Sequence, residues 1–294
     1  MDFCKLKLTD IGVLRPFFNM QSKRICDCTS GSIVMWRTYF DTEFAVENGS
    51  LFLEFGHDVN METAFNMPLG GDRKAALEKI RDYCQKNNIA PLFFSVLEDE
   101  FDDLRAVFGE CEIIPDRDWS DYLYDAQDLV TYKGRRFNGQ RNHLNKFKSL
   151  YPHYKFEEIT TKNTDKIREF LAEYTKNNPK EDATAKAEIG MIYELLDNYE
   201  LYALFGAFIS VDEKVVAFSV GEKVGDTLFT HIEKANISYN GVYQAMVNDF
   251  AKRFVSEEIN FINREEDVGD EGLRRSKLSY HPTKILEKHR VVCK

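Results

Sequence analysis

One order of secondary-structure elements is written twice in this chain, and that repetition limits what it can fold into more than any single motif does. In the first half, Asp10 to Asn19 has the spacing of a short helix, and SIVMWRTYF, EFAV and SLFLEF read as strands, the last two joined by a hairpin turn at Asn48-Gly49. A helix follows, with Asp72 as its N-cap, Ala75, Ala76, Ile80 and Tyr83 at helical spacing, and Asn87-Asn88 at its end. PLFFSVL is then a buried strand, EDEFDDLRAVFG a short helix, and CEII to SDYLYD further strand. In the second half, NTDKIREFLAEYTKN and AEIGMIYELLDNY read as helices, and LYALFGAFI, VVAFSVGEKV and TLFTHIE as strands with turns at Asp212-Glu213 and Gly225-Asp226. A helix opens near Asn240 and runs through Met246, Phe250 and Phe254, followed by the strand INFIN and a short helix in EGLRRSKLS. GSLFLEF and DDLRAVFG thus find counterparts in DTLFTHI and EGLRRSKLS about 170 residues later, which implies tandem domains of one α/β (α+β) fold. Each domain is expected to be a mixed, mostly antiparallel sheet flanked by helices.

A chain of 294 residues exceeds the size at which one core keeps growing, so two domains are expected: 1–128, a connecting segment 129–152, and 153–294. The connecting segment is the other unusual feature. Between Asp128 and Glu157 there is no acidic side chain, while Lys133, Arg135, Arg136, Arg141, Lys146, Lys148 and Lys155 stand unopposed, in a protein of formal net charge −10. Charge placed for solubility is usually of mixed sign, so a segregated block points to an anionic guest. If 129–151 is largely helical, Phe137, Leu144, Phe147 and Tyr151 share a face that docks, but Gly134 and Gly139 oppose a helix and favour a turn at its start.

No apolar run approaches the roughly 20 residues needed to cross a bilayer, and the N-terminus lacks a signal-peptide core, so a soluble, cytoplasmic protein is expected. The six cysteines show no disulfide-framework spacing and are expected to be reduced thiols. Cys26-x-Cys28 lacks a second Cys or His pair at zinc-ligand spacing, so no metal is expected. No H-E-x-x-H, Walker loop, Rossmann fingerprint or G-x-S-x-G elbow occurs, which removes the common zinc-peptidase, nucleotide and serine-hydrolase readings.

Three stretches carry a family resemblance: YKGRRFNGQRNHLNKF at 132–147, HIEKANISYNGVYQAM at 231–246 and INREEDVGDEGLRRSKLSYHP at 262–282. They resemble the family related to the C-terminal domain of phosphatidylglycerol lysyltransferase, a relative of the Fem aminoacyltransferases within the GNAT superfamily. The resemblance implies a tandem GNAT architecture, in which neighbouring central strands splay apart and a helix N-terminus faces the donor. It also implies transfer of an acyl or aminoacyl group to an amine, with a coenzyme A thioester or aminoacyl-tRNA as donor and no resident cofactor.

The residues in these stretches suit that chemistry. Arg135, Arg136, Gln140 and Arg141 offer guanidinium and amide groups for a phosphate or carboxylate of donor or acceptor. A strand ends in His231, Glu233 and Lys234, and the loop through Asn236 and Tyr239 leads to a helix opening at Asn240-Gly241, where backbone N–H groups are available to phosphate. That loop has one glycine where a coenzyme A site has two or three close together. Either Glu233 or His231 is expected to accept the proton, with Tyr243 or Tyr239 near the leaving group. Asn263, Arg264 and Lys277 would line the pocket, since ligands sit at the carboxyl ends of strands in open α/β sheets. Two alternatives stay open: a non-catalytic module that binds an anionic metabolite or nucleic acid such as tRNA, and an ordinary acyl-CoA-dependent N-acetyltransferase.

Overall fold

A computed structural model describes residues 1–56, 62–177 and 183–294. The chain divides into two compact units with interleaved bounds: Met1–Asp121, Glu266–Glu271 and Ile285–Lys294 form the first, and Tyr122–Glu265 and Gly272–Lys284 the second. The expected cut at 128 and 152 therefore gives way to a discontinuous one.

The first unit contains β1 (Cys4–Lys5), α1 (Ile11–Asn19), α2 (Ser30–Trp36), β2 (Thr42–Glu47), β3 (Ser50–Phe55), β4 (Ala64–Phe65), β5 (Leu69–Gly70), α3 (Arg73–Asn87), β6 (Leu92–Val96) and α4 (Phe101–Phe108), and then most of β7 (Cys111–Asp125). β1 to β4 are antiparallel neighbours, and β4 then pairs in parallel with β6 through Phe65 and Phe93. α3 supplies the crossover such a parallel pair requires. Asp72 caps α3 by accepting from the Ala75 N–H at 2.9 Å, and Asn88 ends it in the left-handed conformation (φ 55°). The apolar face of α3, through Leu77 and Ile80, closes over Phe52, Phe65 and Phe93.

One expected strand is a helix. SIVMWRTYF contributes to α2, whose N-cap Thr29 accepts from the Ser32 N–H. Ile33, Val34 and Met35 are buried by tertiary packing, which overrides local propensity.

The C-terminal end of the chain also departs from expectation. The last strand, pairing its Val291 and Val292 with Phe93 and Leu92 of β6, belongs to the first unit. Cys293 at its end is bonded to Cys111 at the start of β7. The expectation of six reduced thiols is thus corrected for this pair, whose separation of 182 residues left no spacing pattern to read. Cys4, Cys26, Cys28 and Cys84 are free.

The second unit begins with Tyr122–Asp125 of β7 and continues through α5 (Ala126–Thr131), α6 (Asn138–Leu150), β8 (Lys155–Glu158), α7 (Thr164–Asn177), α8 (Ala183–Asp197), α9 (Tyr199–Tyr202), β9 (Phe205–Val211), β10 (Lys214–Val224), β11 (Thr227–Ala235), α10 (Val242–Phe254) and β12 (Phe261–Asn263). α11 (Glu271–Leu278) then leads to β13 (Lys284–Cys293), the strand just described. β8 to β11 form an antiparallel meander, and β11 pairs in parallel with β12, the order also found in the first unit. β12 pairs on its other side, antiparallel, with Leu123–Asp125. α10 is the crossover, burying Ala245, Met246 and Phe250.

LYAL, expected to open a strand, forms α9 and its left-handed exit at Ala203 (φ 47°), so that β9 begins at Phe205. The basic segment is α5, a break at Tyr132 (φ 47°) and Gly134 (φ 92°), a 3-10 turn, and α6, with Phe137, Leu144 and Phe147 buried. The turn expected from the glycines is present. Among the described residues no helix is long and apolar enough to cross a membrane.

Candidate active site

The parallel contact of β11 with β12 is short: Thr227, Leu228 and Phe229 pair with Phe261, Ile262 and Asn263, and β11 then continues to Ala235 without β12 beside it. Arg264 and Glu265, which follow β12, still pair with Tyr122 on the other side but no longer with β11, so the two strands splay at the carboxyl end of β12. A bulge sharpens the local geometry. Val220 of β10 pairs with Ile232, but Gly221 pairs with Thr230, so His231 is the extra residue. Gly221 permits the close approach, since a Cβ there would lie 2.1 Å from the Phe229 carbonyl oxygen.

Two ionic contacts cross the splay. Arg264 Nη2 donates to Glu233 Oε1 at 2.8 Å, and His231 Nδ1 meets Glu265 Oε1 at 2.7 Å while its Nε2 meets Glu222 Oε1 at 3.0 Å. Burial works to depress the His231 pKa, but hydrogen bonds to the two carboxylates outweigh it and raise it to about 10. Both ring nitrogens are thus taken by carboxylates, an arrangement that favours the charged ring and leaves His231 no free nitrogen to accept a proton. Glu233 is left as the carboxylate at the mouth of the splay, 14% exposed.

Arg264 is held from every side. Its backbone pairs with the Tyr122 carbonyl at 3.1 Å, its own carbonyl accepts from Lys277 Nζ at 2.5 Å, and its guanidinium lies 4.5 Å from the Tyr280 ring centroid and 5.9 Å from that of Tyr124. Tyr124 in turn donates to the Lys277 carbonyl at 2.9 Å. Desolvation opposes the Arg264 charge, and the Glu233 carboxylate overrides it, so its pKa is raised. The guanidinium is 9% exposed, and among the described residues Nη1 has no hydrogen-bond acceptor. Arg264 and Glu233 line a cavity of ≈ 10 Å³ with Thr230, Leu129, Val247, Phe250, Ala251 and Ile262, room for about one water.

The structure thus gathers His231, Glu233, Arg264 and Lys277 from two separate expectations. Asn263 is fully buried beside them and accepts from the Glu265 N–H at 2.6 Å. Tyr243, on the first turn of α10, has its pKa raised by burial, then by Tyr174 and by Glu233, which places its hydroxyl in the field of this group. Tyr239 instead packs on Tyr151, with ring centroids 5.2 Å apart. Asn236 shapes its own loop by accepting from the Ser238 N–H at 3.0 Å, and Asn240 is exposed. The N-cap of α10 is Gly241 (φ 85°), with no side-chain cap. A Cβ at Gly241 would lie 2.1 Å from the His143 carbonyl oxygen, so the α6 backbone lies directly against the turn.

Part of the basic segment is used internally. Arg136 pairs with Asp128 and covers the Phe137 ring, and Arg141 donates to the carbonyls of Tyr132 and Gly134 and to Asn138 Oδ1. Gln140 is buried and donates to the Ser279 carbonyl at 2.5 Å. Arg136, Gln140 and Arg141 are thus engaged by groups of the protein itself, whereas Arg135 is exposed. Their link to the site is aromatic: Phe137 stacks on Tyr132, which tilts against Tyr280, the ring under Arg264.

Several participants escaped sequence reasoning. Glu222 grips His231 from β10, and Asn248, 1% exposed on α10, donates to the Leu129 and Val130 carbonyls at 2.8 and 2.9 Å. Glu222 did leave a signal: it is a lone acid in the apolar run VVAFSVGEKV.

The first unit holds a different polar cluster. Ligand-type atoms of Cys26, Asp27 and Asp121 lie within 4.8 Å of one another, and the buried ammonium of Lys288 sits among them, 2.7 Å from Asp121 Oδ1 and 3.4 Å from Cys26 Sγ. Burial, then the Asp121 and Glu266 charges, pushes the Cys26 thiol far above its usual range, and burial pushes Cys28 up to about 12. Neither thiol is activated.

A splayed parallel pair after an antiparallel meander, with a crossover helix opening beside the split, is the arrangement of a GNAT-like fold. The family described as phosphatidylglycerol lysyltransferase, C-terminal, matches residues 19–292, and the chain belongs to it. A conserved protein of unknown function from Bacteroides thetaiotaomicron is 35% identical, with both chains covered over 100% and a TM-score of 0.92. L-PGS from Bacillus licheniformis is 14% identical over 96% of this chain and 91% of its own, with a TM-score of 0.67. FemX is 8% identical over 99% of this chain and 97% of its own, with a TM-score of 0.63. These last two likenesses show the fold alone. An uncharacterized protein of Mycoplasmoides gallisepticum is 21% identical over 177 residues, so the match spans 57% of that curated relative's length.

Proposed function

We propose that this chain is a cytoplasmic acyl- or aminoacyl-transferase whose second unit moves an activated acyl group to an amine at the splay of β11 and β12. The observation that carries this reading is the Glu233–Arg264 pair across the splay, which sets a carboxylate and a desolvated cation side by side at the end of a parallel strand. An attacking amine must lose a proton, and Glu233 is the group placed to take it. The charged pair also suits a substrate with an ammonium at one end and a carbonyl or anionic oxygen at the other. Tyr243 is assigned to the leaving group.

The donor is a coenzyme A thioester or aminoacyl-tRNA, and the reaction needs no resident cofactor or metal. The fit of α6 against Gly241 favours aminoacyl-tRNA, because that turn is where the coenzyme A pyrophosphate approaches the helix N-terminus in acetyltransferases of this fold. Exposed Arg135 and its basic neighbours favour the same polyanionic donor.

A thermal-shift screen with coenzyme A thioesters and aminoacyl-tRNA, followed by product mass spectrometry with amine acceptors, tests this. A donor that raises the melting temperature and yields an amide, with turnover lost in Glu233→Gln, supports the reading. Binding without any product points instead to a module that recognises an anionic metabolite or nucleic acid. Turnover with acetyl-coenzyme A alone marks an ordinary N-acetyltransferase.

A further inference from the structure

Within the splay, one polar atom is left over. Arg264 Nη2 is committed to Glu233, but Nη1 has no acceptor among the described residues, although the guanidinium is 9% exposed. A desolvated N–H without an acceptor is expensive to maintain. Its cost is not relieved by movement, because the residue is fixed by the Tyr122 backbone, the Lys277 ammonium and the Tyr280 ring. The cavity that Arg264 and Glu233 line holds about one oxygen-sized guest, ≈ 10 Å³. Thr230 and Ala251 bound the same space.

We propose that Arg264 is a catalytic residue: its Nη1–H holds the carbonyl oxygen of the acyl group in transit and stabilises the negative charge that develops there. The proposal rests on the transferase reading above. A rigid, desolvated donor needs no reorganisation when charge appears, which is the requirement for lowering the barrier rather than merely binding substrate. In the step, the amine nitrogen forms a bond to the acyl carbon and the carbonyl electron pair moves onto the oxygen, which Nη1–H holds. Glu233 takes the proton that the nitrogen releases. The pair then returns to carbon, the bond to the leaving oxygen or sulfur breaks, and that atom receives the proton from Glu233. Reactants and products balance, with no oxidant or further reactant.

The experiment compares wild type with Arg264→Lys and Arg264→Ala, using the donor identified by product formation, and measures kcat and KM separately, with melting temperature as a check on folding. Arg264→Lys keeps a positive charge but loses the second arm of the guanidinium. It is expected to lower kcat about 100- to 1000-fold while KM stays nearly constant. Added methylguanidinium is expected to restore part of the activity of Arg264→Ala and none of that of Arg264→Lys, a rescue that a structural role would not produce. If both variants unfold, Ala251→Val reads the same site by filling the cavity, and a fall in kcat is expected there too. A kcat within about threefold of wild type in a folded Arg264→Lys, or an unchanged kcat in Ala251→Val, overturns this role and leaves the transferase reading standing. Wild-type protein that moves no acyl group from any donor removes the transferase reading and this role with it.

Discussion

Replacing His231 by Gln removes the one titrating group that both Glu222 and Glu265 grip, and the consequence is a pH-dependent loss of stability. The His231 pKa is raised from 6.5 to about 10 in the folded protein, and the ring is fully buried, so solvent screening does not discount the effect. A group whose folded pKa lies above its unfolded value stabilises fully below the unfolded pKa, and the contribution fades as pH rises through the folded one. The window is therefore pH 6.5 to about 10. At about 1.4 kcal/mol per pKa unit, the titrating contribution is on the order of 4 kcal/mol at pH 7 and nearly gone at pH 10. Urea unfolding of wild type and His231→Gln at intervals from pH 6 to pH 10 isolates it, because titration of other groups largely cancels in the difference. The stability gap is expected to be widest at pH 6 and to narrow by about 1 kcal/mol per pH unit above pH 7. A gap that does not change with pH would show His231 to be neutral when folded, and would return it to consideration as the proton acceptor.

The remaining expectations concern the frame around the site. Gly241→Ala drives a Cβ into the His143 carbonyl at a position with φ of 85°, and a loss of at least about 2 kcal/mol should appear in the urea midpoint. Asn248→Ala orphans the Leu129 and Val130 carbonyls and should cost about 1–3 kcal/mol by the same measurement. Lys288→Met leaves Asp27 and Asp121 buried without their ammonium and should destabilise the first unit by about 3–5 kcal/mol in the urea midpoint.

Features set by neighbouring residues could be read without coordinates. Asp72 caps α3 because its own side chain reaches the Ala75 N–H, and the Asn48-Gly49 hairpin and the Asp212-Glu213 turn rest on left-handed residues. The order of meander, crossover helix and parallel strand was visible for the same reason, since each element carries its own periodicity. What the sequence could not display is partnership at a distance. The Glu233–Arg264 pair spans 31 residues, His231 draws on acids 9 and 34 residues away, and Cys111 finds Cys293 across 182. The return of β13 to β6 follows the same rule, and it moved the expected domain boundary. In the basic segment, composition suggested a guest, but Arg136 and Arg141 are taken by Asp128 and by carbonyls that face them only after the chain turns at Gly134. SIVMWRTYF shows the opposite limit: its local preference for strand lost to the core that encloses α2.

Hydrogen–deuterium exchange with and without a bound donor locates the site directly. Donor binding is expected to slow exchange at 229–235 and 262–266, the residues that flank the splay, with the turn at 236–243 following. Slowing confined to 133–148, or to the first unit, with 229–235 and 262–266 unchanged would place the ligand elsewhere and contradict the account.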